Sequence, residues 1–124
     1  MMPTVATTFT VSLADARGRI LVEGLKPPPP SPALREALRG IPVGGEPGDP
    51  QVDAGWGEPG LTPIERLVGW NTFEVLAMES GTPARPINAI PPTATAFCQL
   101  RFVVGTDPND IIPALRRHLD RLEA

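Results

Sequence analysis

The fold is decided by residues 70–104, WNTFEVLAMESGTPARPINAIPPTATAFCQLRFVV. Residues 72–78 are rich in Thr, Phe, Val and Leu, which favours a strand, and residues 94–104 have the pattern of a second strand. The connection between them contains Gly81 and four prolines, which prevent either strand from continuing. We therefore predict an antiparallel pair of strands with a proline-rich connection.

The second predicted strand has one apolar face and one mixed face. Alternation places on the first face Ala94, Ala96, Cys98, Leu100, Phe102 and Val104. The opposite face carries Thr95, Phe97, Gln99, Arg101 and Val103. We expect the apolar face to meet the core, which would make Cys98 a buried and inert thiol. The face with Arg101 should meet solvent, a ligand or another chain.

Composition limits the chain to one small domain, because 124 residues support only a modest core. Seventeen prolines and twelve glycines lower the expected share of regular structure. A net charge of −3 and a single lysine argue against nucleic acid as a partner. One cysteine excludes an internal disulfide, and the sequence shows neither a signal peptide nor a membrane span. We expect a cytoplasmic chain with no membrane contact.

The first sixty residues contain one ambiguous segment and one proline-rich and glycine-rich segment. Residues 4–16 fit a helical face and also fit strand alternation, and their β-branched residues favour a strand slightly. Residues 23–60 hold nine of the prolines and eight of the glycines. Within them we predict one short helix with Ser31 as N-cap, Pro32 as its first residue and Gly40 as its stop. Trp56 is expected to anchor the long loop of residues 44–60 on the core, with ligand stacking as the alternative.

Two further helices follow. Thr62 and Glu65 have the spacing of a capping box, and we expect the buried stripe of that helix to be Ile64, Leu67 and Val68. Pro113 limits the last helix, which starts either at Asp110, with the proline in its first turn, or at residue 107 with a kink. Its expected apolar stripe is Ile111, Ile112, Leu115, Leu119 and Leu122.

Asn88 and Arg101 are the candidate binding residues. A guanidinium presents a planar fork to a carboxylate, and an amide on a proline-stiffened turn adds directed hydrogen bonds. The alternative is that Asn88 bonds its local backbone and Arg101 is a solvated or salt-bridged strand residue. No candidate catalytic residue or metal ligand emerges, because the single histidine, His118, has no second His or Cys at ligand spacing.

Four motifs resemble, in order, the lid domain of a family of dizinc amidohydrolases. They are Asn88-Ala89-Ile90-Pro91, Leu100-Arg101, Gly105-Thr106-Asp107-Pro108 and the helix that follows. The family, peptidase family M-twenty, includes aminoacylases, carboxypeptidase-G-type enzymes, acetylornithine deacetylase and succinyl-diaminopimelate desuccinylase. The resemblance implies an α+β fold of ferredoxin-like type, with a small antiparallel sheet, helices on one face and a helix at residues 4–16.

The resemblance divides the chain into three parts. Residues 1–22 would be the first helix and short strand of the lid, residues 23–60 an insertion, and residues 61–124 the helix, strand pair and last helix. The lid would lack its flanking strands at both ends, so the chain would be a fragment.

The resemblance also implies a function. The chain would supply subunit contacts in a homodimer and hold a substrate carboxylate through Asn88 and Arg101. The zinc ions and the general base would belong to the catalytic domain of the parent enzyme, which cleaves N-acyl amino acids or peptide-like amides. We do not expect the chain to be catalytic alone. Alternatives are a stand-alone dimeric module that binds a small carboxylate or a partner, and an inactive truncated remnant.

Overall fold

The computed structural model describes residues 13–123 and shows three helices and one pair of strands. This architecture confirms the predicted α+β class. The elements, in chain order, are α1 (Pro32–Leu38), α2 (Pro63–Gly69), β1 (Thr72–Ser80), β2 (Ala94–Arg101) and α3 (Ile111–Glu123). Among the described residues, no helix is long and apolar enough to cross a membrane.

The two strands form an antiparallel hairpin. Thr72 pairs with Arg101 at its base and Ser80 with Ala94 near its tip, and a bulge at Leu76 lies between them. β1 runs two residues beyond its prediction, whereas β2 stops three residues before residue 104. β2 stops there because the backbone N–H of Val103 donates to the side-chain oxygen of Asn71, at 2.9 Å.

The core lies at the base of the hairpin and is small. Its fully buried apolar side chains belong to one coil segment and one helix: Ile20, Val22, Leu25 and Ala114. Phe73 and Leu100 of the hairpin pack against this cluster, as do Ile111 and Leu115 of α3. Residues 20–25 therefore join α3 to the base of the sheet.

Asn71 is the buried polar residue that connects these parts, with 2% of its surface exposed. Its amide nitrogen donates to the carbonyl of Leu25 at 2.8 Å and to the hydroxyl of Thr106 at 2.9 Å. Its amide oxygen accepts from Val103. One side chain thus ties the coil before α1, the start of β1 and the turn before α3 together, and each of its polar atoms is paired.

The predicted helix caps are confirmed. The Ser31 hydroxyl accepts from the backbone N–H of Leu34, and Pro32 opens α1. Thr62 and Glu65 form both hydrogen bonds of the capping box. α3 begins at Ile111, so Pro113 lies in its first turn, as the first alternative for this helix requires.

One ion pair crosses the first two turns of α3. Arg117 donates three hydrogen bonds to the carboxylate of Asp110, just before the helix: two to Oδ1 at 3.1 Å and one to Oδ2 at 2.9 Å. These hydrogen bonds from Arg117 lower the pKa of Asp110 below its ordinary value. The ion pair lies on the solvent-facing side of the start of α3.

Both predicted helical stripes need correction. In α2, Leu67 and Val68 are nearly half exposed, and the buried residues are Glu65 and Gly69. Gly69 is buried because Pro30 and Leu34 lie against it, so α1 occupies that side of α2. In α3, Ile112 and Leu122 are exposed and Ala114 is the buried centre, because only a small side chain fits against the backbone at Gly24.

The predicted core face of β2 is mostly exposed, which contradicts the sequence expectation. Leu100 reaches the core, but Cys98 is an exposed free thiol, and Phe102 and Val104 beyond the strand are exposed as well. The reason is that residues 20–25 and α3 cover only the base of the hairpin. The prediction that Cys98 is buried was therefore wrong.

The N-terminal helix expected at residues 4–16 lies mainly outside the described residues. Its described end is not helical, because Ala14 forms an antiparallel bridge with Ile20 around a tight turn. Asp15 stabilises that turn by accepting from the backbone N–H groups of Arg17 and Arg19. Gly18 has a φ of +73°, which the turn requires and glycine adopts without strain.

Replacing Asn71 by Ala should destabilise the fold by about 3 kcal/mol, because it leaves the Val103 amide and the Leu25 carbonyl buried without partners. Urea unfolding followed by circular dichroism measures the change. Asn109→Ala is the matched control, because Asn109 is exposed and its side chain makes no hydrogen bond with the described residues. Equal stability losses in the two variants would contradict the role given to Asn71.

Candidate functional site

The register of the hairpin assigns its residues to two faces of opposite character. The face that we call the apolar face carries Phe73, Val75, Met78, Ala94, Ala96, Cys98 and Leu100, with the polar Ser80 opposite Ala94 at the tip. The other, the Arg101 face, carries Thr72, Glu74, Ala77, Glu79, Thr95, Phe97, Gln99 and Arg101. The bulge at Leu76 absorbs one residue, so that Met78 lies on the same face as Val75.

The apolar face is covered only at its base. Phe73 and Leu100 pack on the core, whereas Val75 is 53% exposed and Met78 is 73% exposed. Cys98, opposite Val75, is exposed too. The outer edges of both strands also lack a strand partner among residues 13–123. A hairpin of this kind is marginal alone, and its free edges can accept another strand.

Arg101 lies at the base of the hairpin, at the end of β2 and opposite Thr72. It is exposed, and within the described part of the chain its guanidinium has no ion-pair partner. Of the two alternatives to a binding role, a salt bridge is not seen among the described residues, whereas the exposed side chain agrees with a solvated strand residue. The group has its full hydrogen-bonding capacity for an incoming carboxylate.

Asn88 lies in the connection at the tip of the hairpin and is exposed. Its side chain makes no hydrogen bond with the residues that the structure describes, although the neighbouring Ala89 N–H donates to the carbonyl of Ile87 at 2.9 Å. Local backbone bonding by Asn88, the alternative reading of its turn, is not observed. Its amide is accessible to an external partner.

The two candidate residues are not brought together within one copy of the chain. β2 separates them, and its span from Ala94 to Arg101 is about 23 Å at the usual rise per residue. Asn88 lies beyond the Ala94 end of the strand. One small carboxylate cannot contact both side chains of the same hairpin in this arrangement.

A second group of residues forms a cavity of about 310 Å³ next to the Arg101 face. We call it the tryptophan pocket. Its lining comes from the turn before residue 20, the loop before α2, α2 itself and the start of β1: Gly18, Trp56, Gly57, Glu58, Arg66, Trp70, Asn71, Thr72, Phe73 and Glu74. Of these lining residues, the sequence alone singles out Trp56. The others could not be predicted, because residues 54–58 and 70–74 come together only through tertiary packing.

Trp56 packs on the turn at Gly18 rather than on the apolar core, and the indole remains 56% exposed. A Cβ atom at Gly18 would lie within 2.5–2.7 Å of the ring. The loop around Trp56 is fastened by Arg66, which donates to the carbonyls of Glu58 and Ala54 at 2.9 Å, and by the Gly57 N–H, which donates to the carbonyl of Arg17. We expected the Trp56 ring to anchor the loop on the core. This expectation was wrong, because the ring contacts the turn at Gly18.

The side chains that commonly bind metals or act as nucleophiles are dispersed in the described range. No cluster of three or more His, Cys, Asp or Glu residues that could hold a metal ion occurs among residues 13–123. Cys98 stands on the hairpin, and His118 lies on α3 with part of its surface buried. The features with binding chemistry are therefore the apolar face, the exposed Asn88 and Arg101, and the tryptophan pocket.

Comparison of the chain with protein-family models, with curated proteins and with solved structures finds no match.

Proposed function

We propose that this chain is the lid and dimerisation domain of a cytoplasmic dizinc amidohydrolase, a deacylase or peptidase that acts on N-acyl amino acids or peptide-like amides. The domain supplies subunit contacts and binds the substrate carboxylate. The zinc ions and the catalytic base belong to the catalytic domain of the parent enzyme. The observation that carries the proposal is the apolar face of the hairpin, which continues well beyond the core that covers its base.

The order of elements supports the resemblance on which the amidohydrolase reading rests. Asn88 lies in an irregular turn, β2 ends at Arg101, and residues 105–110 form turns before α3. These are the element types that the lid pattern associates with its Asn-x-Ile-Pro, Leu-Arg and Gly-x-Asp-Pro motifs. Each of the four motifs therefore lies in the type of element that the lid pattern has at that position.

The exposed apolar face supports association with a second copy. Val75, Met78 and Cys98 form an uninterrupted apolar patch with the residues that enter the core. Patches of this kind on a small domain are typical of interaction sites. A two-fold related copy is the simplest partner, because one face can then cover its own equivalent.

Strand pairing is the other arrangement open to two copies of the chain, and it would give a role to the separation of Asn88 and Arg101. Antiparallel pairing of two β2 edges about a two-fold axis would bring the tip of one hairpin towards the base of the other. Asn88 of one copy would then approach Arg101 of the next. A carboxylate site shared between subunits follows from that arrangement.

The alternative is a stand-alone dimeric module that binds a small carboxylate, and the free guanidinium of Arg101 favours it equally. The native mass of the polypeptide separates the two. Antibody capture from the source cells and intact mass spectrometry should find a product several times larger than 13.2 kDa that also contains zinc. A zinc-free product of 13.2 kDa would contradict the lid proposal and leave the binding module.

The chain should form a dimer of twice 13.2 kDa at about 100 µM, measured by size-exclusion chromatography with light scattering. Val75→Glu should shift it to monomer, because a charge would be buried in the interface without a partner. Val104→Glu is the matched control, since Val104 is fully exposed and lies outside the hairpin. Cys98 should react with a thiol reagent more slowly in the dimer than in the Val75→Glu monomer. A wild-type chain that stays monomeric would contradict the proposal.

Arg101→Ala should weaken the binding of an N-acetyl amino acid by about tenfold, because a charge-assisted pair of hydrogen bonds is lost. Chemical-shift titration of the dimer measures the affinity. Arg116→Ala is the control, since Arg116 is exposed on α3 and has no ion-pair partner among the described residues. Equal affinity in the Arg101→Ala variant and the wild type would exclude Arg101 as the carboxylate ligand.

A further inference from the structure

The proposed function makes no use of residues 26–32, whose sequence is KPPPPSP. Each proline fixes its own φ, and each residue before a proline is kept out of the α region. Ser31, which precedes Pro32, has a φ of −65° and a ψ of 156°, as a polyproline II helix requires. Residues 27–31 contain no α-helix, strand or turn. The segment is therefore a short polyproline II helix that ends where α1 begins.

The pattern of burial along this segment has a period of three. A polyproline II helix has three residues per turn, so its side chains form three edges. One edge, Pro27 and Pro30, is buried against the fold of the same chain. The residues of the other two edges are exposed: Lys26, Pro28, Pro29, Ser31 and Pro32. Pro28 keeps this exposure although one side of its ring faces Gly105.

Contacts before, within and after the segment hold it in place. The carbonyl of Leu25, just before it, accepts from the Asn71 amide at 2.8 Å. Pro30 lies against Gly69 of α2, and Ser31 caps α1. A partner that binds the exposed edges would meet a helix that is already ordered. It would therefore lose less conformational entropy than it would on binding a flexible peptide.

Lys26 adds a positive charge to one exposed edge. It is the single lysine of the chain, and it makes no ion pair with the described residues. Lys26, Pro29 and Pro32 are spaced by three residues, so they lie along the same edge. Protein domains that recognise polyproline II helices bind such prolines in grooves lined by aromatic side chains. An acidic pocket at the end of such a groove would complement the lysine.

We propose that residues 26–32 are the docking site for a partner domain that has an aromatic-lined groove for polyproline II and an acidic pocket at its end. The two exposed edges enter the groove, and Lys26 enters the acidic pocket. The third edge points away from the partner, so Pro27 and Pro30 keep their packing on the fold when the partner binds. This inference does not depend on the proposed lid function, because it concerns residues before α2 and not the hairpin.

Chemical-shift titration of the full chain with an isolated SH3 domain tests the proposal, because domains of this class bind polyproline II ligands. The domain chosen as the probe has an acidic pocket at the end of its groove. It should bind with a Kd of about 100 µM or tighter. The largest shifts should fall on the amides within and beside the segment, such as those of Lys26, Ser31 and Ala33.

Pro29→Ala should weaken this binding by about tenfold, because it removes a proline ring from the centre of the edge that enters the groove. The position is exposed, and circular dichroism checks that the variant keeps its fold. Pro47→Ala is the matched control, since it removes an exposed proline from the loop of residues 44–60. Its affinity should equal that of the wild type.

Lys26→Glu should weaken binding at least about fivefold, because it places a carboxylate beside the acidic pocket. The loss should disappear when the acidic residues of the probe are replaced by glutamine. Arg116→Glu, an equal charge change at an exposed position of α3, should have no effect. The proposal would be overturned by the absence of saturable binding, by shifts centred away from the segment, or by wild-type affinity in Pro29→Ala or Lys26→Glu. None of these outcomes bears on the native mass or on the dimer.

Discussion

The hydrogen bonds of Asn71 are the constraint on which the rest of the structure depends. The side chain is buried and holds a carbonyl before α1, an amide after β2 and a hydroxyl before α3. Because the apolar core contains few side chains, these bonds fix the relative position of segments that apolar contact alone would leave loose. They also end β2, since the amide of Val103 bonds to Asn71 instead of extending the sheet.

The hairpin is fixed only at its base, and this determines which of its surfaces stay accessible to other molecules. Residues 20–25 and α3 cover Phe73 and Leu100, and the outer part of the hairpin projects beyond them. An uncovered two-stranded sheet gains stability when another chain covers it. A hairpin that is held at its base and exposed at its tip therefore favours association with a second chain. The same geometry separates Asn88 from Arg101 within one copy of the chain.

The parts of the fold that the sequence predicts correctly are those that depend on neighbouring residues. Ser31 and Thr62 cap their helices through residues three positions away, and Pro113 restricts the start of α3 through its own ring. The strand pair follows from alternation and prolines in the same way. Burial was predicted less well, because alternation shows which side chains share a face but not how far the core extends along it. Cys98 illustrates the difference, since its face was predicted correctly and its burial was not.

The candidate sites also differ in whether neighbouring residues in the sequence or only the folded structure reveal them. Asn88 and Arg101 stand out in the sequence because motif spacing is local, yet their separation is visible only in the folded hairpin. Glu58 and Thr72 line one cavity without any sequence signal, because thirteen residues separate them in the chain and only the folded structure brings their segments together. The two faces of the hairpin thus acquire opposite chemistry from one cause. On the apolar face the core ends early and leaves apolar side chains exposed, while beside the Arg101 face the loop before α2 packs near the base of β1 and leaves a cavity lined by Trp56 and Trp70.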